Sequence, residues 1–175
     1  KLIQYGIRTV VDLRSPEELA IHRNAFAESE KVVALTIDMA GDVGMDQDLP
    51  VAERIPSMYI ELLEKRQNQI ADILSKLASP GALPALYHCA GGQDRTGVIS
   101  ALLLGIACVP DNIIAEDYTL TANYRANVNP DQNPDVDPDT KLIETYRARN
   151  CPPDAMLRTT SYIRKKYGGY RQYML

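Results

Sequence analysis

Between His88 and Gly97 the chain reads His-Cys-Ala-Gly-Gly-Gln-Asp-Arg-Thr-Gly, so that five residues, two of them glycine, separate a thiol from a guanidinium. Before it, Pro84 to His88 reads as a short apolar strand; after it, Gly97 to Cys108 reads as an apolar helix stopped at Pro110. A turn between strand and helix aims successive backbone N–H groups at one spot, and the positive end of the helix adds to them. Ala90, Gly91, Gly92, Gln93, Asp94 and Arg95 can therefore cradle an oxyanion such as phosphate. The same field favours a thiolate over a thiol, which predicts a Cys89 pKa within the ~3.5–7.5 range of such settings and a nucleophile at neutral pH. Arg95 can meet two oxygens of a phosphoryl group with parallel hydrogen bonds, a geometry lysine does not reproduce. Taken alone, a cysteine at a strand end is a small buried hydrophobe. The glycine turn, Arg95 and Thr96 make Cys89 a candidate nucleophile, and Cys108 and Cys151 lack that company.

A phosphoryl group that departs from an oxygen leaves that oxygen needing a proton. No acidic residue lies between Asp72 and Cys89, so the donor is either Asp94 in the turn or an aspartate near the acidic stretch 39–50: Asp38, Asp42 or Asp46. The plainer role for Asp94 is to order the turn. Arg14 reads as the ion-pair partner of a nearby carboxylate, His22 as a surface residue, and Tyr118 and Tyr124 as helical core aromatics.

Several elements must position these groups. Ile7 to Leu13, rich in β-branched residues, reads as a buried strand after Gly6. Ser15, Pro16 and Glu18 carry the signature of a capping box opening a short helix. Lys31 to Asp38 reads as a second strand, followed by the exposed acidic loop 39–50. Apolar residues at helical spacing from Tyr59 to Leu77 predict one long amphipathic helix from about Ser57 to Ala78, ended by Pro80-Gly81. Asp111 is expected to cap a helix over Asn112 to about Asn127, and residues 129–139, rich in Pro, Asn and Asp, to form a loop. Helices over Thr140–Arg149 and about Asp154–Tyr167, the latter ending at Gly168-Gly169, complete the chain as a single domain over 1–175 without internal repeats.

The composition limits what such a loop serves. With 175 residues, 45% of them hydrophobic and 24% charged, the chain can build a globular core, and disorder is excluded. No run of 18 apolar residues occurs, the best candidate, Gly97 to Pro110, being fourteen long. A net charge of −4 argues against a general nucleic-acid binder. The charge is uneven, however: residues 1–140 carry 11 basic and 21 acidic side chains, residues 141–175 eight basic and two acidic. The basic run at the end reads as a solvated helical face. Three scattered cysteines fit a reducing, cytoplasmic compartment better than a disulfide framework, and no Cys or His spacing suggests a metal site.

The string His88-Cys89-x5-Arg95-Thr96 resembles the active-site loop of the cysteine-dependent protein tyrosine phosphatase superfamily. With Gly6-Ile7-Arg8-Thr9-Val10-Val11-Asp12-Leu13-Arg14 before it and Asp117-Tyr118-Thr119-Leu120-Thr121 after it, the chain is similar to the atypical, mostly microbial tyrosine and lipid phosphatases, whose loop usually reads HC-x-A-G-K-D-R-T-G. The resemblance implies an α/β fold, a mostly parallel central sheet flanked by helices, and phosphomonoester hydrolysis through a cysteinyl phosphate without metal or other cofactor. It implies that Cys89 attacks phosphorus, that Arg95 and the amides from Ala90 to Arg95 hold the equatorial oxygens, that His88 supports the loop, and that Thr96 donates to the departing sulfur. It places the general acid first at Asp94. Family members normally carry further sequence before the Gly6-Ile7 strand, so the resemblance implies that some N-terminal family sequence is missing from this chain. Two residues depart from the pattern: Gly91 where Ala is usual and Gln93 where Lys is usual.

The partner so implied is a phosphorylated protein or small phosphomonoester. Tyrosine phosphatase activity comes first, with dual-specificity or phosphoinositide phosphatase activity as the alternative. A rhodanese-like sulfurtransferase and a non-catalytic phosphate-binding module are remoter, the first because its cysteine loop has a different spacing and the second because no catalytic group is missing.

Overall fold

The computed structural model describes residues 2–126 and 140–175. The chain divides into two compact units, Lys1–Ile99 and Ser100–Leu175. The expected loop at 129–139, and Asn127 at the end of an expected helix, lie outside the described residues.

In the first unit three strands form a parallel sheet: β1 (Thr9–Asp12) in the centre, β2 (Val33–Thr36) on one side and β3 (Ala85–His88) on the other. Every residue of β1 is buried, which is why it reads as an unbroken β-branched run. The register sets Asp12 opposite Thr36 and His88, and the pairing continues past the strands, Leu13 donating its N–H to the His88 carbonyl at 2.8 Å. The carboxyl ends of all three strands therefore open on one edge, where ligands of parallel sheets bind.

Helix α1 (Pro16–Ile21) starts at the predicted capping box, with Glu18 N–H donating to Ser15 Oγ and Ser15 N–H to the Glu18 carboxylate. The single helix expected over Ser57–Ala78 is two: α2 (Val51–Lys65) and α3 (Gln67–Ala78), separated at Arg66. Arg66 leaves helical geometry with its guanidinium committed to Asp42 and the Ala40 carbonyl, contacts that spacing cannot reveal. Helix α2 also begins earlier than expected and runs through Pro56, because its stripe of Ile55, Tyr59, Leu62 and Leu63 is buried and overrides the proline's local preference. Helix α4 (Asp94–Ile106) begins three residues before Gly97, which brings Asp94, Arg95 and Thr96 into its first turn. The boundary between the units falls within it.

In the second unit α5 (Asp111–Thr119) packs with α8 (Pro153–Tyr167), α6 (Thr121–Arg125) with α7 (Thr140–Asn150), and α8 with α9 (Tyr170–Tyr173). The helix expected from Asn112 breaks at Leu120, beside Thr119, whose hydroxyl bonds back to the Glu116 carbonyl. Tyr118 is a core residue as expected, but Tyr124 is 80% exposed. Asp111 opens α5 rather than capping it, since Pro110 takes the cap position. Its carboxylate accepts from Arg164 Nε at 2.8 Å, Arg164 Nη2 at 2.9 Å and Tyr170 Oη at 3.0 Å. Among the described residues no helix is long and apolar enough to cross a membrane.

Candidate active site

His88 is the last residue of β3, and Cys89 follows it, buried at the sheet's carboxyl edge. The chain then turns through exposed Ala90, through Gly91, and through Gly92 at φ +64°, a backbone conformation that favours glycine, into buried Gln93 and the first turn of α4. The Thr96 hydroxyl donates to Cys89 Sγ at 3.2 Å. Burial works against a thiolate at Cys89, but the Thr96 hydroxyl and N–H, the Arg95 charge and the Gln93 N–H together outweigh it, and the thiol's pKa is lowered.

Arg95 is held from the other side of the cleft. Its Nη1 and Nη2 meet the two carboxylate oxygens of Glu18 at 2.5 and 2.7 Å, and Nη1 also donates to the Leu13 carbonyl at 3.3 Å. The hydrogen bonds from Arg95 pull the Glu18 pKa down to about 2. A guanidinium has five N–H groups. Glu18 and Leu13 engage three, which among the described residues leaves Nε–H and the second Nη2–H, adjacent and parallel, the fork that fits two phosphate oxygens. Sequence reading finds Glu18 only as a helix cap; its second role joins residues 77 positions apart and has no local signal.

Beneath the loop, buried Asp12 accepts from Arg14 Nε at 2.9 Å and Nη2 at 2.7 Å, the ion pair expected of Arg14. Burial pushes the Asp12 carboxyl up, but the Arg14 side chain and N–H bonds and the charges of His88 and Arg14 hold its pKa below the ordinary range. His88 Nε2 lies 3.7 Å from Asp12 Oδ2, and His88 Nδ1 lies 3.1 Å from the Cys89 carbonyl oxygen. His88 therefore sits between the Asp12–Arg14 pair and the start of the loop.

The candidate acids are placed very differently. Asp94 Oδ1 accepts from Tyr59 Oη at 2.7 Å and from Gln93 Nε2 at 3.3 Å. Asp94 and Arg95 line a cavity of about 230 Å³ with Ser15, Glu18, Met58, Leu62 and, from the 39–50 loop, Ala40 and Val43. Asp42 is bound to Lys65 and Arg66, the Lys65 bond being the first cause of its lowered pKa. Asp38 Oδ1 accepts from the N–H groups of Ala40 and Gly41, and Asp46 Oδ1 from that of Asp48. These three aspartates shape their loop. Gln93, the departure from the usual lysine, is buried and turned toward Asp94.

The chain is similar to known tyrosine phosphatases. A tyrosine-protein phosphatase of Nostoc commune is 29% identical over 126 residues, covering 70% of this chain and 43% of the relative. A Cupriavidus necator protein provisionally named a tyrosine-protein phosphatase is 28% identical over 134 residues, 71% of this chain and 48% of its own length. The chain spans less than half the length of either relative. The family model described as the tyrosine phosphatase family matches residues 1–175. A cysteine-to-arginine loop at the carboxyl edge of a parallel sheet, backed by a match along its full length, means that this chain belongs to the tyrosine phosphatase family.

Proposed function

We propose that this chain hydrolyses phosphomonoesters through a cysteinyl-phosphate intermediate, and that its substrates are phosphotyrosine proteins. The observation that carries this reading is the meeting of a lowered-pKa thiol, Cys89, bonded to Thr96, with Arg95, whose Nε/Nη2 edge is open. Cys89 Sγ attacks phosphorus as a thiolate, the bond from phosphorus to the ester oxygen breaks, and Asp94 gives that oxygen its proton. The fork of Arg95 and the amides from Ala90 to Arg95 hold the three equatorial oxygens throughout. Asp94, now a carboxylate, takes a proton from a water that attacks phosphorus. As the water oxygen bonds to phosphorus the S–P bond breaks, its electron pair returns to Cys89 Sγ, and the Thr96 hydroxyl donates a hydrogen bond to that thiolate.

Phosphotyrosine is favoured over polyphosphoinositides because Gln93 is neutral and turned inward, where the usual lysine would offer a cation to a second phosphate. The names of the two relatives point the same way. We take residues 1–175 as one phosphatase domain working in the reducing cytoplasm, where the free thiols Cys89, Cys108 and Cys151 persist, and with no nucleic acid as partner.

The test is turnover, in chelator, of a phosphotyrosine peptide, a phosphoserine peptide and a bisphosphorylated inositol lipid, with acid quenching to trap phosphate on the enzyme. Phosphotyrosine should lead, and the trapped label should map to Cys89. Label on another residue overturns the mechanism, and a lead for the lipid overturns the substrate class.

A further inference from the structure

Tyr59 belongs to the apolar stripe of α2 and reads from its spacing as plain core. Tyr59 is fully buried, yet its hydroxyl donates at 2.7 Å, across 35 positions of sequence, to Oδ1 of Asp94, which lines the cavity. Gln93 Nε2 donates to the same oxygen at 3.3 Å. We propose that Tyr59, with Gln93, is a positioning residue that holds Asp94 by Oδ1 and so reserves Oδ2 for the proton exchanged with the leaving oxygen. This rests on the reading of Asp94 as general acid.

A free aspartate at a helix start turns about two side-chain bonds and can swing toward solvent or toward the backbone N–H groups of its own turn. A proton reaches a leaving oxygen only at hydrogen-bond distance and in line. The Tyr59 hydroxyl sits on a ring immobilised in the core, so it fixes Oδ1 in space, and the planar carboxyl then fixes Oδ2. Gln93 is neighbour to Asp94 and itself buried, so its amide limits the remaining rotation. In this arrangement glutamine at position 93 works on the acid rather than on the substrate. A mere packing role for Tyr59 would need only its ring.

Tyr59→Phe keeps the ring and removes the hydroxyl, so it separates the two roles. The experiment measures kcat for parent, Tyr59→Phe, Asp94→Asn and the double variant on aryl and alkyl phosphates whose leaving groups span a wide pKa range, with thermal midpoints alongside. Since general acid catalysis is worth about 10²–10⁴-fold, Asp94→Asn should lose that much on alkyl phosphates and little on the best aryl leaving groups. Tyr59→Phe should lose roughly 10-fold on the former and less than about twofold on the latter, with the double variant no worse than Asp94→Asn. A leaving-group dependence unchanged in Tyr59→Phe, while Asp94→Asn steepens it, overturns the role of Tyr59 and leaves Asp94 as the acid. A dependence unchanged in Asp94→Asn overturns the acid and Tyr59's role with it. If Tyr59→Phe lowers the thermal midpoint sharply, Gln93→Leu is the second variant, with the same selective loss expected; a uniform loss on all substrates in both overturns the proposal.

Discussion

Arg95 in the first unit and Arg164 in the second are both bound twice by one carboxylate, yet they present opposite edges. Arg164 gives Asp111 its Nε and Nη2, the edge that best matches two oxygens, and its guanidinium also lies over the Tyr170 ring at 5.2 Å from the centroid. Arg14 binds Asp12 by the same edge. Arg95 instead gives Glu18 its Nη1 and Nη2 and keeps the Nε/Nη2 fork open. An arginine whose best edge is filled by protein is a strut; one clamped by its far end is a strut that can still bind an anion. The difference separates a structural ion pair from a ligand site more cleanly than burial or pKa direction does, since both arginines have raised pKa values, each chiefly through its carboxylate.

The comparison would lose its meaning if the loop beside Arg95 held no reactive group. Cys89→Ser is therefore the largest expected effect: more than about 10³-fold loss of kcat, with vanadate still binding because the amide cradle and Arg95 remain. Residual turnover above a tenth of the parent removes Cys89 from the mechanism. Next, Arg95→Lys keeps the charge but not the fork and should cost about 10²–10³-fold in kcat/KM. Arg164→Lys should leave kcat/KM within about twofold while lowering Tm. Equal losses of activity in the two would erase the distinction.

Glu18→Gln sharpens the comparison, because glutamine can still close the capping box while losing the charge that clamps Arg95. About tenfold loss in kcat/KM is expected from a guanidinium no longer held in place. Its pH signature follows from the lowered pKa. A carboxylate with a folded pKa of about 2, below its unfolded value of 4.5, stabilises the fold above that unfolded value, and this contribution is lost as pH falls from 4.5 toward 2. Melting curves across that window should fall more steeply for the parent than for Glu18→Gln; parallel curves would refute the clamp.

The smallest effect on activity belongs to the second unit's network. A Cβ at Gly105 would come within 2.3 Å of the ring of Tyr170, whose hydroxyl donates to Asp111, so Gly105→Ala should displace that ring and cost about 1–3 kcal/mol of stability. Denaturation midpoints would register this, with kcat/KM unchanged within about twofold.

What could be read in the linear order of residues is whatever one turn or one strand encodes by itself. The cradle from His88 to Gly97, the Ser15–Glu18 capping box, the buried β1 run and the glycine stop at Gly168 and Gly169, at φ +86° and +134°, are all local, and each residue's neighbours in sequence are its neighbours in space. Periodicity, by contrast, reports that a residue is buried and says nothing of what it meets. It placed Tyr59 in the core without its bond to Asp94, and continued a helix through Arg66 without knowing of Asp42. Glu18 reads from its spacing as a cap, but the cap uses only one of its oxygens' several lone pairs; the rest accept from Arg95 because β1, α1 and α4 meet at the same edge of the sheet. The strand, turn and helix start that bracket Cys89 and Arg95 are thus legible in sequence alone. Which edge of Arg95 Glu18 occupies, and which buried hydroxyl Asp94 accepts from, was decided by tertiary structure, because hydrogen-bond partners 35 and 77 positions apart are chosen by the packing of elements and not by the elements themselves.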